Sequence, residues 1–287
     1  VSNVSVFENH KAIQINHQGE SIVVKTDKAT FQAKMIIGAD GANSIVNRKL
    51  SNNKIDKKHH SGGVRQYFEK VKWNDAHGLI ELHFYKEIIP GYFWIFPLPE
   101  NQANVGLGML SSEISEQNIN LKQKFTELIE NHPNLKSRFK NAKPLETIKG
   151  FGLPLGSKKK QLSGDHFLLL GDAANLIDPF TGEGIGNAIR SGRIAAEHIK
   201  KAFKERRFDA DFNKKYDTNI YQAMWNELRV SKSLQNLLKY PWLFNFLVKK
   251  ANKNKSVQLL LTSMLDDVDL KKELVKPKFY IRLLFNY

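Results

Sequence analysis

The 287-residue chain is 41% hydrophobic and 25% charged, close to globular averages, so wholesale disorder is excluded and one large or two ordinary domains fit the length. It contains no cysteine, which removes disulfide scaffolds, thiolate metal sites and cysteine nucleophiles, so any redox chemistry here draws on a cofactor. The formal charge of +15 comes largely from lysines scattered beside Asn and Ile, and clusters such as Lys57-Lys58 and Lys249-Lys250 are short enough to read as solvated surface.

Residues 4–24 alternate around His17-Gln18-Gly19-Glu20, the pattern of a hairpin. A short apolar strand over 33–37 ends in Gly38-Ala39-Asp40-Gly41, after which Asn43 or Ser44 can cap a helix reaching about Leu50. Strand-like runs over 64–71, 79–85, 92–96 and 103–110 are most simply one antiparallel sheet. Residues 121–129 have helical spacing that Pro133 interrupts, and a strand near 147–155 follows. Phe167-Leu168-Leu169-Leu170 is a continuous apolar run of the kind buried in parallel sheets. A loop over 171–184, a long helix over 185–203 and a run of amphipathic helices over 209–287 complete the chain.

No apolar run approaches the roughly 20 residues that span a bilayer, and the start lacks the pattern of a secretory signal. A cytoplasmic protein is expected, with peripheral contact with anionic membrane as the lipid role such charge allows, and no nucleic-acid partner. His59-His60 lack further ligands at metal spacing, so no metal is expected, and no Gly-x-Ser-x-Gly nucleophile elbow is present.

The chemistry concentrates in residues 168–196. A buried strand delivers Gly171 and Asp172 to the carboxyl edge of a sheet, where α/β proteins bind ligands and a carboxylate can accept hydrogen bonds from ligand hydroxyls. Pro179, Gly182, Gly184, Ile185 and Gly186 then lead into the next helix. The three glycines leave main-chain N–H groups open to a polar or anionic ring at a helix N-terminus. A lone glycine pair here would be a plain capped connection. An Asp at a strand end, a Pro, three spaced glycines and a small-residue helix in that order closely resemble the second FAD-binding motif of the para-hydroxybenzoate hydroxylase-like flavoproteins.

Two further segments extend that resemblance. Gly38-Ala39-Asp40-Gly41 with Ser44 and Arg48 is similar to the superfamily's Asp-Gly motif, which implies a strand, turn and helix near the FAD pyrophosphate, with Arg48 anchoring the helix or meeting phosphate. Pro90-Gly-Tyr-Phe-Trp-Ile-Phe-Pro97 resembles the Tyr-x-Trp-x-Phe-Pro motif of the geranylgeranyl reductase family, and Gly152-Leu153-Pro154-Leu155 fits it as well. Alternation puts Tyr92, Trp94 and Phe96 on one face and Phe93 and Ile95 on the other.

By this resemblance the fold is α/β (α+β). It has an FAD-binding three-layer domain lacking its first βαβ unit (1–55 and 146–205), an antiparallel-sheet substrate domain (56–145) and a helical C-terminal region (206–287). The resemblance implies FAD, NAD(P)H or another reductant, and a hydrophobic prenyl lipid or isoprenoid quinone whose double bonds are reduced. Tyr92, Trp94 and Phe96 would guide the substrate, and the Tyr92 hydroxyl is the candidate proton donor. The Gly-x-Gly-x-x-Gly loop that holds the ADP half of FAD in the superfamily is absent from these residues. Val1 is not a methionine, so that stretch either lies upstream or has been lost. A flavin monooxygenase of aromatic or quinone substrates and a non-catalytic fragment or lipid-binding module are the alternatives. The sequence leaves the oligomeric state open.

Overall fold

In the computed structural model, residues 3–73, 78–255, 257–259, 276, 278 and 279 are described. The alternating start folds into β1 (Ala12–Gln18) and β2 (Ser21–Thr26), joined through Gly19-Glu20, and β3 (Thr30–Ala33) adds a third antiparallel strand. Sequence alternation indicated only the hairpin. β3 is short and polar, and it forms because Thr26 Oγ1 accepts the Ala29 N–H at 2.9 Å and turns the chain back onto β2. β4 (Ile36–Gly38) then leads to α1 (Ile45–Leu50), where Ser44 Oγ accepts the Asn47 N–H at 2.9 Å, the expected cap.

The next elements are β5 (His60–Glu69), β6 (Glu81–His83), β7 (Gly91–Leu98), β8 (Gln102–Leu110), α2 (Ser111–Glu116) and α3 (Leu121–Asn131). Pro133, read as an interruption, is the first residue of α4 (Pro133–Phe139); its fixed φ and missing N–H suit that position. β9 (Lys143–Pro144), β10 (Lys149–Pro154), β11 (Ser163–Gly164) and β12 (Phe167–Leu169) follow, then α5 (Ile185–Glu205), α6 (Ala210–Leu237) and α7 (Pro241–Lys253). Of the helical run expected over 209–287, residues 256, 260–275, 277 and 280–287 lie outside the described residues.

Two compact units emerge. The first comprises Val1–Lys54, Pro154–Asp178 and Gly182–Asn226. In it β12 runs parallel to β4, Phe167 opposite Ile36 and Leu169 opposite Gly38, with β11 antiparallel on the other side of β12. Leu168 and Leu169 are wholly buried, as their continuous apolar run requires of a strand covered on both faces. α5 packs closely on the turn that follows: the Gly171 N–H donates to Ser191 Oγ at 3.0 Å, and a Cβ on Gly171 would lie 2.9 Å from Ala188 Cβ. Tyr216 of α6, fully buried, donates its hydroxyl to the Leu169 carbonyl at 2.8 Å.

The second unit comprises Ile55–Leu153, Pro179–Thr181 and Glu227–Tyr287. Its sheet has the order β10-β5-β8-β7-β6, antiparallel along β5-β8-β7-β6, with β9 paired to β5. β10 is an edge strand of this sheet, so residues 149–153 group with it rather than with the stretch that the sequence divides off at 146. Phe93, Ile95, Val105 and Leu107 are fully buried against Phe125 of α3 and Leu135 of α4. Where α4 meets β6, Arg138 donates to both Glu81 carboxylate oxygens at 2.6 and 2.7 Å and to the Lys72 carbonyl at 2.9 Å.

Candidate functional site

In the first unit, β12 ends where a 3-10 turn (Gly171–Ala174) begins, and this places Asp172 at the carboxyl edge of the parallel pair. Burial pushes the Asp172 pKa up, and the Glu183 charge pushes the same way. No hydrogen bond from a described residue reaches its carboxylate. Gly184 is the N-cap of α5, and a Cβ there would lie 2.9 Å from Asp172 Oδ1 and 3.3 Å from Ile177 Cγ1. Only a residue without a side chain lets the helix start this close to the carboxylate.

The loop before α5 is closed by Asp178 N–H to the Glu183 carbonyl at 2.8 Å and Gly182 N–H to the Asp178 carbonyl at 3.0 Å, with Gly182 at φ +73°. Ile185 and Gly186 are exposed in the first turn. The Gly186 N–H, expected to be open to a ligand, donates to Glu183 Oε1 at 2.6 Å, so the chain's own carboxylate occupies a helix N-terminal donor. Glu183 was missed because the Gly-x-Gly spacing drew attention to the glycines alone. Asn175 was missed too: it closes the 3-10 turn at φ +56°, and its Oδ1 is buried with no partner among the described residues.

Asp40 and Arg48 lie on the same unit. Asp40 Oδ2 accepts the Ile45 N–H at 2.7 Å and so fixes the start of α1, Gly41 follows at φ +74°, and Arg48 is exposed in the last turn. A carboxylate that no donor of a described residue reaches, a buried acceptor nearby without a partner among the described residues and a glycine cradle that a Cβ would fill suit a ligand that offers hydroxyl donors, as the ribityl chain of a flavin does.

In the second unit, Tyr92, Trp94 and Phe96 share one half-buried face of β7, while Phe93 and Ile95 face the core, as alternation requires. The register opposes Tyr92 to Gly108, Trp94 to Gly106 and Phe96 to Asn104 of β8. The Trp94 indole lies flat on Gly106, where a Cβ would fall 2.1 Å from Cζ2, and Trp94 Nε1 donates to Asn104 Oδ1 at 3.0 Å. Phe96 stacks on Trp94 at 5.9 Å and Tyr92 meets it edge-on at 6.0 Å. One row further, Arg65 of β5 opposes Gly106, pairs with Glu146 and sits 4.4 Å from the Tyr67 ring. The result is an aromatic face on a glycine floor with a charged flank.

Also within this unit, the Tyr92 hydroxyl donates to the Thr181 carbonyl, and Gln235 Nε2 of α6 donates to the Pro179 carbonyl at 2.6 Å. Lys232 Nζ, a donor only, holds Gln235 Oε1 at 2.8 Å, which settles which way that amide faces. His60 bonds Ser111 Oγ at 2.8 Å, and no metal-binding cluster occurs among the described residues.

Residues 62–151 match the model of the geranylgeranyl reductase catalytic domain. Over 281 residues the chain is 30% identical to digeranylgeranylglycerophospholipid reductase of Methanococcus vannielii, covering 96% of this chain and 65% of that protein. The chain is similar to members of the geranylgeranyl reductase family. The chain is also 29% identical to menaquinone reductase of Mycobacterium tuberculosis over 65% of its length and 47% of the relative's. It spans less than two thirds of the length of these relatives. Among solved structures, a geranylgeranyl bacteriochlorophyll reductase-like protein from Thermoplasma acidophilum superposes with a TM-score of 0.67 at 25% identity, over 79% of this chain and 57% of that one. A flavin-dependent brominase superposes at 0.64 with 18% identity, over 86% and 63%, which shows the shared fold alone.

Proposed function

We propose that this chain is the flavin-proximal and substrate-binding part of an FAD-dependent oxidoreductase that reduces carbon–carbon double bonds of a prenyl lipid or isoprenoid quinone. The observation that carries the proposal is the aromatic face of β7 lying on the glycine floor of β8, an apolar surface shaped for an extended chain. When bound, reduced flavin would supply the hydride for one alkene carbon, a proton from water would complete the other, and NAD(P)H or another reductant would restore the flavin.

The chain's own residues bind and orient. Asp172 would accept hydrogen bonds from ribityl hydroxyls, while Gly171, Pro179, Gly182, Gly184, Ile185 and Gly186 would hold the ring by main chain. Asp40 and Gly41 shape the turn on the pyrophosphate side, where Arg48 meets phosphate. Tyr92, Trp94 and Phe96 guide the prenyl chain. A peripheral contact with anionic membrane is part of the proposal. Lys249, Lys250, Lys253 and Lys255 follow one another without an acidic residue between them, and Trp242, 70% exposed, shares a face of α7 with Lys249 and Lys253 at helical spacing.

The test supplies flavin-loaded, anaerobically reduced protein with digeranylgeranylglycerophospholipid and reads the product by mass spectrometry. A gain of two hydrogens per reduced double bond is expected. Unchanged lipid, or substrate-coupled oxygen consumption once air is admitted, would overturn the assignment, the latter in favour of a monooxygenase.

A further inference from the structure

Tyr92 stands on the aromatic face with Trp94 and Phe96, yet its hydroxyl is committed elsewhere. Its proton is donated to the carbonyl of Thr181. Two residues earlier, the Pro179 carbonyl accepts from Gln235, whose orientation Lys232 fixes. Residues 179–181 are therefore held at both ends by side chains of β7 and α6, and the next residues in the chain are Gly182, Glu183 and Gly184, the entry to α5. The Tyr92 ring meets the Trp94 and Phe84 rings, each at 6.0 Å.

A tyrosine side chain has two torsions and a rigid ring between them and its hydroxyl. An apolar chain that extends from Phe96 and Trp94 onto Tyr92 would displace that ring and so move the hydroxyl with it. Donating the proton to a substrate carbon instead would leave the Thr181 carbonyl without this partner at the moment of reaction. We infer that Tyr92 is a positioning residue that couples occupancy of the aromatic face to the backbone of residues 179–181, through its bond to the Thr181 carbonyl. The inference rests on the proposed binding of a prenyl chain to that face, and it assigns Tyr92 to the loop that enters α5 rather than to proton donation.

Amide hydrogen exchange on the flavin-loaded protein tests it, with geranylgeraniol as probe and tryptophan fluorescence reporting its binding. In the unmodified protein, geranylgeraniol should change exchange of the amides of residues 180–184 and alter a fluorescence signal that Trp94→Phe removes. Tyr92→Phe keeps the ring and loses the bond. It should exchange those amides about fivefold faster, the opening expected when one net hydrogen bond is lost, and it should bind geranylgeraniol with no effect on them. Exchange in Tyr92→Phe that matches the unmodified protein, with or without the probe, would refute the coupling. Should Tyr92→Phe fail to fold, the unmodified protein decides alone: a Trp94 response without any change at residues 180–184 overturns the coupling. No Trp94 response at all overturns the prenyl assignment of the face.

Discussion

Asp172 sits in a place that disfavours its charge. Its folded pKa is raised, first by burial and then by Glu183, so the fold binds its proton more tightly than the unfolded chain does, and stability declines as pH rises from the ordinary carboxylate range through the raised value. Asp172→Asn should therefore melt at a higher temperature than the unmodified protein at pH 7 when no flavin is bound, with the gain fading below about pH 4 where both states carry the proton. The same change should weaken flavin binding, and a thermal melt beside a flavin titration separates the two effects. Glu81 shows the opposite sign. Burial would raise its pKa, but the hydrogen bonds and charge of Arg138 hold it below the ordinary value, so its contribution is present above that value and is lost as pH falls. The Arg138 side chain is only 2% exposed, and Glu81→Gln should cost about 3 kcal/mol in chemical denaturation at pH 7, because it leaves a buried guanidinium without its counter-charge.

At the level of elements, the pairing of β7 with β8 makes the aromatic face. Trp94 lies flat because Gly106 has no side chain, so Gly106→Ala, whose Cβ would fall 2.1 Å from the indole, must drive the ring off the floor. A loss of about 1–3 kcal/mol and a red-shifted Trp94 emission are expected. Spectra and denaturation midpoints that match the unmodified protein would show that the floor is not needed. The alternation of Tyr92, Trp94 and Phe96 was legible along one strand, as was the buried strand before Asp172. Gly106 as the partner of Trp94 was not, because a cross-strand pair depends on register, and register is set by the turn and the core of both strands together. The short strand β3 and the place of β10 in the sheet escaped for a related reason: each is stabilised by its neighbour more than by its own composition.

For the molecule as a whole, the charge of +15 and the run of lysines around α7 predict salt-sensitive attachment to anionic lipid. The protein should sediment with phosphatidylserine-containing vesicles at low ionic strength, release at about 0.5 M salt where screening is strong, and ignore neutral vesicles. Trp242→Ala should weaken the attachment more than it changes the melting temperature, since the side chain is largely exposed. Attachment that is indifferent to both lipid charge and salt would rule out the electrostatic part of this contact. Among the described residues no helix is long and apolar enough to cross a membrane.

Sequence alone determined the motifs whose chemistry is local: the Asp at a strand end, the glycines before a helix, a cap at Asn43 or Ser44, and the face shared by Tyr92, Trp94 and Phe96. These follow from chain chirality, strand and helix periods and the absence of side chains, which act within a few residues. Only the tertiary structure decided what those groups touch. It put the Tyr92 proton on Thr181, the Glu183 carboxylate on the Gly186 amide, Gly184 against Asp172 and Gln235 on Pro179. Such partners are far apart in sequence or compete with solvent, and which bond forms depends on how packing shares donors among acceptors.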